Sequence, residues 1–429
     1  MTLVKPTAFA SLGLTAELAY AASASGFDIP TPIQVAAIPS VLQGADVLVS
    51  AETGSGKTAA FALPILQLLQ RQPRCTSNEA QALVLVPTRE LAAQTGEVFR
   101  RLAQHLPQPL KIAVAFGGVS INPQMMSLRA GVNLLIATPG RLLDLVEHNA
   151  LKLTAVNLLV LDEADRLLEP GFADELNRVL SLLPVQRQTL LFSATFPPVV
   201  QALSQSLLRD PLRIEITGPQ QGASPVPSAI LQRVIQVDAA QRTVLLRHLI
   251  KTHAYQRVLV FVATQYAAEH VAEKLYKAGI FAAPFHGGLS QGARTQVLSE
   301  FKASRWDVVV TTDLASRGID IAQLPVVINY DLPRSAVDYI HRIGRTGRAG
   351  EVGLAISLVS AATEPHFRLI EKRQHLSLPR EQIAGYEPTQ AEPVPLDLAP
   401  VTGAGGIKGK RPSKKDKLRA AKRQNATPI

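Results

Sequence analysis

Short uninterrupted apolar runs recur along the chain, with helical stretches between them. In the first half they are Val47–Val49, Leu83–Val86, Ile112–Ala115, Leu134–Ala137, Leu158–Leu161 and Leu190–Phe192. Each has the length of a strand buried on both faces, which a parallel sheet requires. Residues 217–228, TGPQQGASPVPS, break the rhythm with Gly, Pro, Ser and Gln and read as a linker. The pattern then restarts with Val234–Val237, Val258–Val262, Val308–Val310, Val326–Ile328 and Leu354–Leu358. This alternation predicts two α/β domains in tandem, 1–216 and 229–375, with mainly parallel sheets. From residue 376 the chain turns Pro-rich and polar, then Gly-rich and basic. It lacks the apolar density to fold alone, so 376–429 is expected to be a flexible, disordered basic tail.

Charge sharpens that division. Of a net charge of +10, residues 408–424 carry nine basic side chains against Asp416 alone, which leaves +2 for the rest. Long-range attraction for a polyanion is therefore concentrated in the tail; a solvated, solubilising tail is the alternative. The single cysteine, Cys75, permits no intramolecular disulfide and fits a reducing compartment. No apolar run of about 18 residues predicts a membrane span, and the first residues lack the pattern of a signal peptide. The expected setting is the cytoplasm, with no membrane partner.

Two of the apolar runs end in chemistry. Val47–Val49 leads into Ala51-Glu52-Thr53-Gly54-Ser55-Gly56-Lys57-Thr58. Gly54 and Gly56 let successive N–H groups curl toward a phosphate, and the helix start adds its positive end. Lys57 supplies a point charge to the β- and γ-phosphates, and the Thr58 hydroxyl reaches Mg²⁺. Leu158–Leu161 delivers Asp162-Glu163-Ala164-Asp165. Asp162 is placed to hold Mg²⁺, and Glu163 to orient and deprotonate an attacking water. In the second half, His341-Arg342-Ile343-Gly344-Arg345-Thr346-Gly347-Arg348 carries arginines at every third position. Arginine spreads phosphate charge through its planar fork, so an arginine arriving from the second domain would complete the first domain's phosphate site on closure.

Taken together these segments resemble a DEAD-box RNA helicase, over about residues 7 to 375 and in that family's motif order. The resemblance implies two RecA-like domains, with ATP and Mg²⁺ as ligands. Gly26-Phe27 followed by Pro30-Thr31-Pro32-Ile33-Gln34 resembles the Q motif, with Phe9 at the upstream aromatic position. Gln34 can both donate to and accept from adenine, and Phe27 could stack on it. The phosphate loop has the family's AxTGSGKT form. Pro87-Thr88-Arg89-Glu90-Leu91, Gly117-Gly118 and Thr138-Pro139-Gly140-Arg141 match segments that hold the RNA backbone in the family. Ser193-Ala194-Thr195 matches the segment that couples nucleotide to RNA, a role the resemblance also implies for Asp165, Arg317 and His341. In the second domain, Thr264 lies in a motif IV-like segment, and Gln291 with Arg294 matches a QxxR element; the resemblance implies RNA contact for Thr264 and Arg294. Thr312 is implied to contact RNA and Asp320 the ATP ribose. Arg345 and Arg348 fall at arginine-finger positions.

The stretch His286-Gly287-Gly288-Leu289-Ser290-Gln291-Gly292-Ala293-Arg294-Thr295 and the short basic tail look most like the bacterial RhlE-type branch, although Gly288 replaces a common Asp. That branch implies structured RNA or short duplexes, ribosomal RNA or mRNA, as substrate, with ribosome-assembly or RNA-decay proteins as partners. The expected activity is ATP-dependent local unwinding of short RNA duplexes. An ATP-gated RNA clamp without unwinding and a DNA helicase stand as alternatives.

Overall fold

This computed structural model describes residues 8–51, 55–73, 77–169, 171–215, 230–316, 324–347 and 352–389. The first domain is built on β1 (Val47–Ser50), β2 (Ala80–Leu85), β3 (Ile112–Ala115), β4 (Val132–Ala137), β5 (Leu158–Leu161), β6 (Gln188–Ser193) and β7 (Leu212–Glu215). The second is built on β8 (Ile230–Gln236), β9 (Val258–Val262), β10 (Ala282–Phe285), β11 (Val308–Thr312), β12 (Val326–Asn329), β13 (Gly353–Val359) and β14 (Arg380–Glu381).

The strand order is β3-β4-β2-β5-β6-β1-β7 in one sheet and β10-β11-β9-β12-β13-β8-β14 in the other. These are the same order, strand for strand, and every described ladder is parallel. Parallel neighbours need crossover connections, and helices supply them on both faces. Alternate strand residues therefore enter separate cores. Val47 and Val49 face one layer, and Leu48 the other. In the second domain Val258, Val260 and Val262 face one layer, while Leu259 and Phe261 face the other.

All eleven apolar runs read from the sequence fall on strands. Three strands were not expected, and all lie at sheet edges. β7 is exposed at three of four positions. β10 carries Pro284, which an edge strand tolerates because one side of it needs no partner. β14 is only two residues long.

β14 also corrects the domain boundary. The segment after residue 375 continues the fold: Arg380 pairs with Val234 and Glu381 with Ile235. The Arg380 guanidinium bridges the buried carboxylates of Glu364 and Glu371, at 2.7 Å each. Arg233 meets Glu381 at 2.6 Å, and Thr389 donates from N and Oγ1 to Asp238. Polar side chains here do what an apolar run does elsewhere, so hydropathy alone underestimates the domain. The expected linker, 217–228, and the basic run, 408–424, lie outside the described residues. No helix among the described residues is long and apolar enough to cross a membrane.

Candidate functional site

The strand order sorts the motifs. The phosphate loop follows β1, the acidic cluster follows β5 and Ser193–Thr195 follows β6, and these three strands are neighbours. Arg89 follows β2, Gly117-Gly118 follows β3 and Thr138–Arg141 follows β4, which are neighbours on the other side. In the second domain Thr264 follows β9, the His286–Gln291 turn follows β10 and Thr312 ends β11, again three neighbours. The expected nucleotide residues and the expected backbone-holding residues thus occupy opposite halves of the carboxyl edge, where open α/β sheets bind ligands.

On the nucleotide side, the helix Pro32–Leu42 opens with a capping box. The Thr31 N–H donates to Gln34 Oε1 at 2.9 Å, as the T-x-x-Q spacing provides. Thr31 Oγ1 then donates to the Ser55 carbonyl, and Gln34 Nε2 to the Gly56 carbonyl at 3.2 Å. Gly56 has a φ of 91°, and a Cβ there would approach Gln34 Nε2 to 2.6 Å. Gln34 therefore braces the phosphate loop as well as lying beside it. Lys57, buried at the start of the helix Lys57–Gln70, donates to the Ala51 carbonyl at 3.0 Å. Thr58, next in that helix, is half-buried. Glu52, Thr53 and Gly54 lie outside the described residues.

Asp162 is buried at the end of β5, and burial pushes its carboxyl up to about 6, opposed by the charge of Lys57. Its Oδ1 accepts from the Glu163 N–H at 3.0 Å. Glu163 sits in the left-handed region (φ 52°, ψ 51°) as the cap of the short helix Ala164–Leu167. Such a conformation costs energy in a residue with a Cβ and is found where a side chain must be aimed. Asp165 Oδ2 accepts from both N and Oγ1 of Thr195, at 3.0 and 2.7 Å. Ser193 Oγ accepts from the Asp165 N–H and donates to the Thr195 carbonyl. The acidic cluster and Ser193–Thr195 are thus one hydrogen-bonded unit. A buried carboxylate beside a lysine and a hydroxyl-bearing helix start fits a divalent cation bound with a nucleoside triphosphate.

One aromatic expectation changes. Phe9 is fully buried in the first domain's core, so its ring offers no face to a base. Phe27 is half-buried against that core, with the Arg101 guanidinium 5.9 Å from its ring centre.

On the polymer side, residues expected to hold a backbone gather at helix starts. Thr88 caps the helix Arg89–Ala103, and Thr264 the helix Gln265–Lys277. Thr138 precedes the helix Pro139–Glu147. Helix amino termini carry partial positive charge and free N–H groups, which suit phosphate oxygens. Gly118 has a φ of 74°, and a Cβ there would overlap the Arg89 guanidinium, so glycine lets that arginine lie flat on the turn. A Cβ on Gly140 would come within 2.9 Å of the Glu175 carboxylate. Arg141 donates from Nη2 to the Val119 carbonyl at 2.8 Å, and its Nη1 is buried without a hydrogen-bond partner among the described residues. Thr312 is buried at the end of β11. The space a side chain at Gly288 would take is occupied by Gln265, whose Oε1 would be 2.7 Å from the added Cβ.

Arg294 departs from expectation. The residue is 6% exposed, and its guanidinium stacks over Phe285 at 4.7 Å and pairs with Glu90 of the first domain at 2.9 Å. Gln291 Nε2 donates to the same carboxylate at 3.3 Å. The QxxR element therefore makes a contact between domains. A second such contact joins Arg166 Nη2 to His341 Nδ1 at 2.9 Å. Arg345 is buried in the same region, lining a small cavity with Arg166, Asp313, His341 and Arg342. Arg342, the first arginine of the triplet, is structural: it pairs with Asp313 at 2.5 Å and stacks on Phe261 at 4.8 Å. Gly353 lies under the turn that follows, where a Cβ would overlap Thr346 Oγ1 and the Gly347 backbone. Arg317, Asp320 and Arg348 lie outside the described residues.

Glu90 and Arg166 were not singled out from the sequence, and Arg342 was named only as one of the arginine triplet. Each stands next to or within a motif, but nothing in one chain marks a charge as buried. Thr31 was legible in principle, from its capping-box spacing.

Comparison with known proteins agrees with this geometry. Residues 31–203 match the DEAD/DEAH box helicase family, and residues 241–350 match the helicase conserved C-terminal domain. The chain is 42% identical over 353 residues to the ATP-dependent rRNA helicase RRP3 of Gibberella zeae, covering 82% of this chain and 71% of that protein. It is 38% identical over 401 residues to the ATP-dependent RNA helicase DeaD of Mycobacterium tuberculosis, covering 94% of this chain and 69% of that protein. Among solved structures it is similar to S. cerevisiae Dbp5 bound to RNA and ADP BeF3, with a TM-score of 0.77, 30% identity, and coverage of 88% of this chain and 96% of that one. With two RecA-like domains of one strand order, motifs divided between the halves of each sheet, and relatives matched across both, the chain belongs to the DEAD-box helicase family.

Proposed function

We propose that this protein is an ATP-dependent RNA helicase that opens short duplexes locally, by closing its two domains on ATP and RNA and using hydrolysis for release. The observation that carries the reading is the division of each sheet into a nucleotide half and a polymer half, with buried contacts between the domains in both regions: Arg166 with His341, and Glu90 with Arg294. Gripping a polymer and completing the phosphate site then become two readouts of one closure equilibrium.

In this reading Lys57 and the loop N–H groups cradle the phosphates, and Thr58 and Asp162 hold Mg²⁺, which supplies charge neutralisation to the phosphate oxygens. Glu163 orients the attacking water and takes its proton, while Arg345 and Arg348 meet the charge that develops on the γ-phosphoryl group. Residues at the starts of helices hold the RNA backbone, so no sequence preference is expected. Local melting suffices, because each stacked step is worth roughly 1–2 kcal/mol. The names of the relatives support RNA as the polymer, ribosomal RNA among its forms. The stretch from His286 to Thr295 and the basic run after residue 407 favour an RhlE-type enzyme, with that run as a tether to structured RNA. The single cysteine favours action in the cytoplasm, and ribosome assembly or RNA decay is the process in view.

The test is Glu163→Gln. The variant should bind ATP and RNA but trap the closed state, so that RNA dissociates far more slowly in excess ATP than from the parent protein. Rapid RNA release in excess ATP would contradict the mechanism, and ATPase without strand displacement by the parent protein would favour a clamp.

A further inference from the structure

Arg166 directly follows the acidic cluster, and beyond its contact with His341 no role above belongs to it. Its side chain is buried, with only 5% of the residue exposed. Nε lies 3.4 Å from Glu163 Oε2, an ion pair too long for a firm hydrogen bond. Nη2 donates to His341 Nδ1 of the second domain at 2.9 Å. Nη1 is buried with no hydrogen-bond partner among the described residues.

The guanidinium is planar and rigid, so these contacts are not independent. Displacing His341 must tilt the fork at Glu163. The Glu163 backbone is already held in the left-handed region, between the end of β5 and the helix that follows, so its side chain takes up the change. Asp165 is already engaged: Oδ2 is held by Thr195, and Oδ1 accepts from the backbone N–H of Arg166 itself. His341 has room to move, because it borders a cavity of about 440 Å³ that Arg166, Thr195 and Val337 also line.

We propose that Arg166 is a positioning residue that makes the orientation of the Glu163 carboxylate depend on docking of the second domain through His341. With the domains apart, the fork loses His341 and settles on Glu163, the carboxylate with which it already pairs. With the domains docked, His341 takes Nη2, draws the fork away, and leaves Glu163 facing the water. RNA, which holds the domains together, thereby admits hydrolysis. A displacement of about 1 Å at a catalytic group is enough to matter, since it can cost roughly 10²-fold in rate. This inference rests on the helicase reading above.

The experiment measures ATP turnover by the full chain, with and without single-stranded RNA. It compares the parent protein with Arg166→Ala, Arg166→Lys, His341→Ala and the double variant Arg166→Ala/His341→Ala. The ratio of RNA-stimulated to RNA-free kcat should fall about tenfold in Arg166→Ala, inside the roughly 5- to 150-fold range of ordinary coupling between sites. KM for ATP should stay within about twofold, because the nucleotide's own contacts are untouched. Arg166→Lys keeps the charge but not the fork and should fall between. The double variant should lose no more than the worse single variant, because both act through one contact. An unchanged ratio in Arg166→Ala, or losses that multiply in the double variant, would overturn the proposal. If Arg166→Ala fails to fold, the same ratio in Arg166→Lys and His341→Ala decides. A parent protein with no RNA stimulation defeats the helicase reading itself, whereas a stimulated parent with an unaffected Arg166→Ala defeats only this proposal.

Discussion

Glu90→Gln offers a direct measure of how firmly the two domains are tied. Glu90 and Arg294 are each 6% exposed and meet at 2.9 Å across the domain contact. Burial pushes the Arg294 guanidinium down from its ordinary value, and Glu90 opposes that. Removing one member of a buried pair costs about 3–5 kcal/mol, because it leaves an uncompensated charge. Here part of that loss is cushioned. Arg294 keeps its stacking on Phe285, worth about 1–2 kcal/mol when desolvated, and the glutamine still accepts from Gln291. A closure penalty of about 2–3 kcal/mol remains, which at 1.4 kcal/mol per tenfold weakens closure about 30- to 150-fold. With the domains apart both side chains return to water, so the penalty falls on closure and not on the fold of either domain. Fluorescence energy transfer between labels on the two domains, titrated with RNA in a non-hydrolysable ATP analogue, reads this directly. The titration should shift to higher RNA by that factor, while the thermal midpoint without ligands barely moves. Adding Arg294→Gln to Glu90→Gln should restore part of the loss, because two neutral groups no longer leave a buried charge. A midpoint within about twofold of the parent protein, or a double variant worse than the sum of the singles, would refute the argument.

Two further outcomes follow from the geometry. Burial raises the Asp162 carboxyl to about 6 from 3.8, so its contribution to stability is full below the unfolded value and is lost as pH rises through about 6. In ligand-free denaturation, Asp162→Asn should therefore gain about 1.4 kcal/mol more over the parent at pH 8 than at pH 5, and an equal difference at both pH values would contradict the burial argument. Ending the chain after residue 375 removes Arg380 from between Glu364 and Glu371 and strips β14 from β8, so it should destabilise the second domain by about 2–4 kcal/mol in urea; an unchanged midpoint would place the boundary back at 375.

How far the sequence reveals this protein depends on what each residue touches. Central strands such as Val258–Val262 are buried on both faces, so they stand out as apolar runs whatever their neighbours. Leu212–Glu215 and Arg380–Glu381 each lie at an edge and are held by one ladder, the second by side-chain charges as well, and they leave no such trace. The chemistry of the phosphate loop and the acidic cluster is local, carried by residues adjacent in sequence, and so it can be read from them. The contacts that join the domains are not local. Arg166 and His341 are 175 positions apart, and Glu90 and Gln291 are 201 apart. Arg294 shows the limit most clearly: its residue type suits a phosphate, yet its surroundings give it a carboxylate from the other domain.

In the first domain, the boundary between the two halves of the sheet is a single strand pair. β2 and β5 meet in register from Ala82↔Leu158 to Leu85↔Leu161, and beyond it the Asp162 N–H donates to the Leu85 carbonyl at 3.0 Å. Substitutions that alter which polymers are held can accumulate on β3, β4 and β2 without disturbing ATP chemistry, so long as this seam keeps its packing. Such an architecture lets a lineage change its targets while inheriting its engine intact. It also means that an inhibitor lodged against one half need not compete with the ligand of the other.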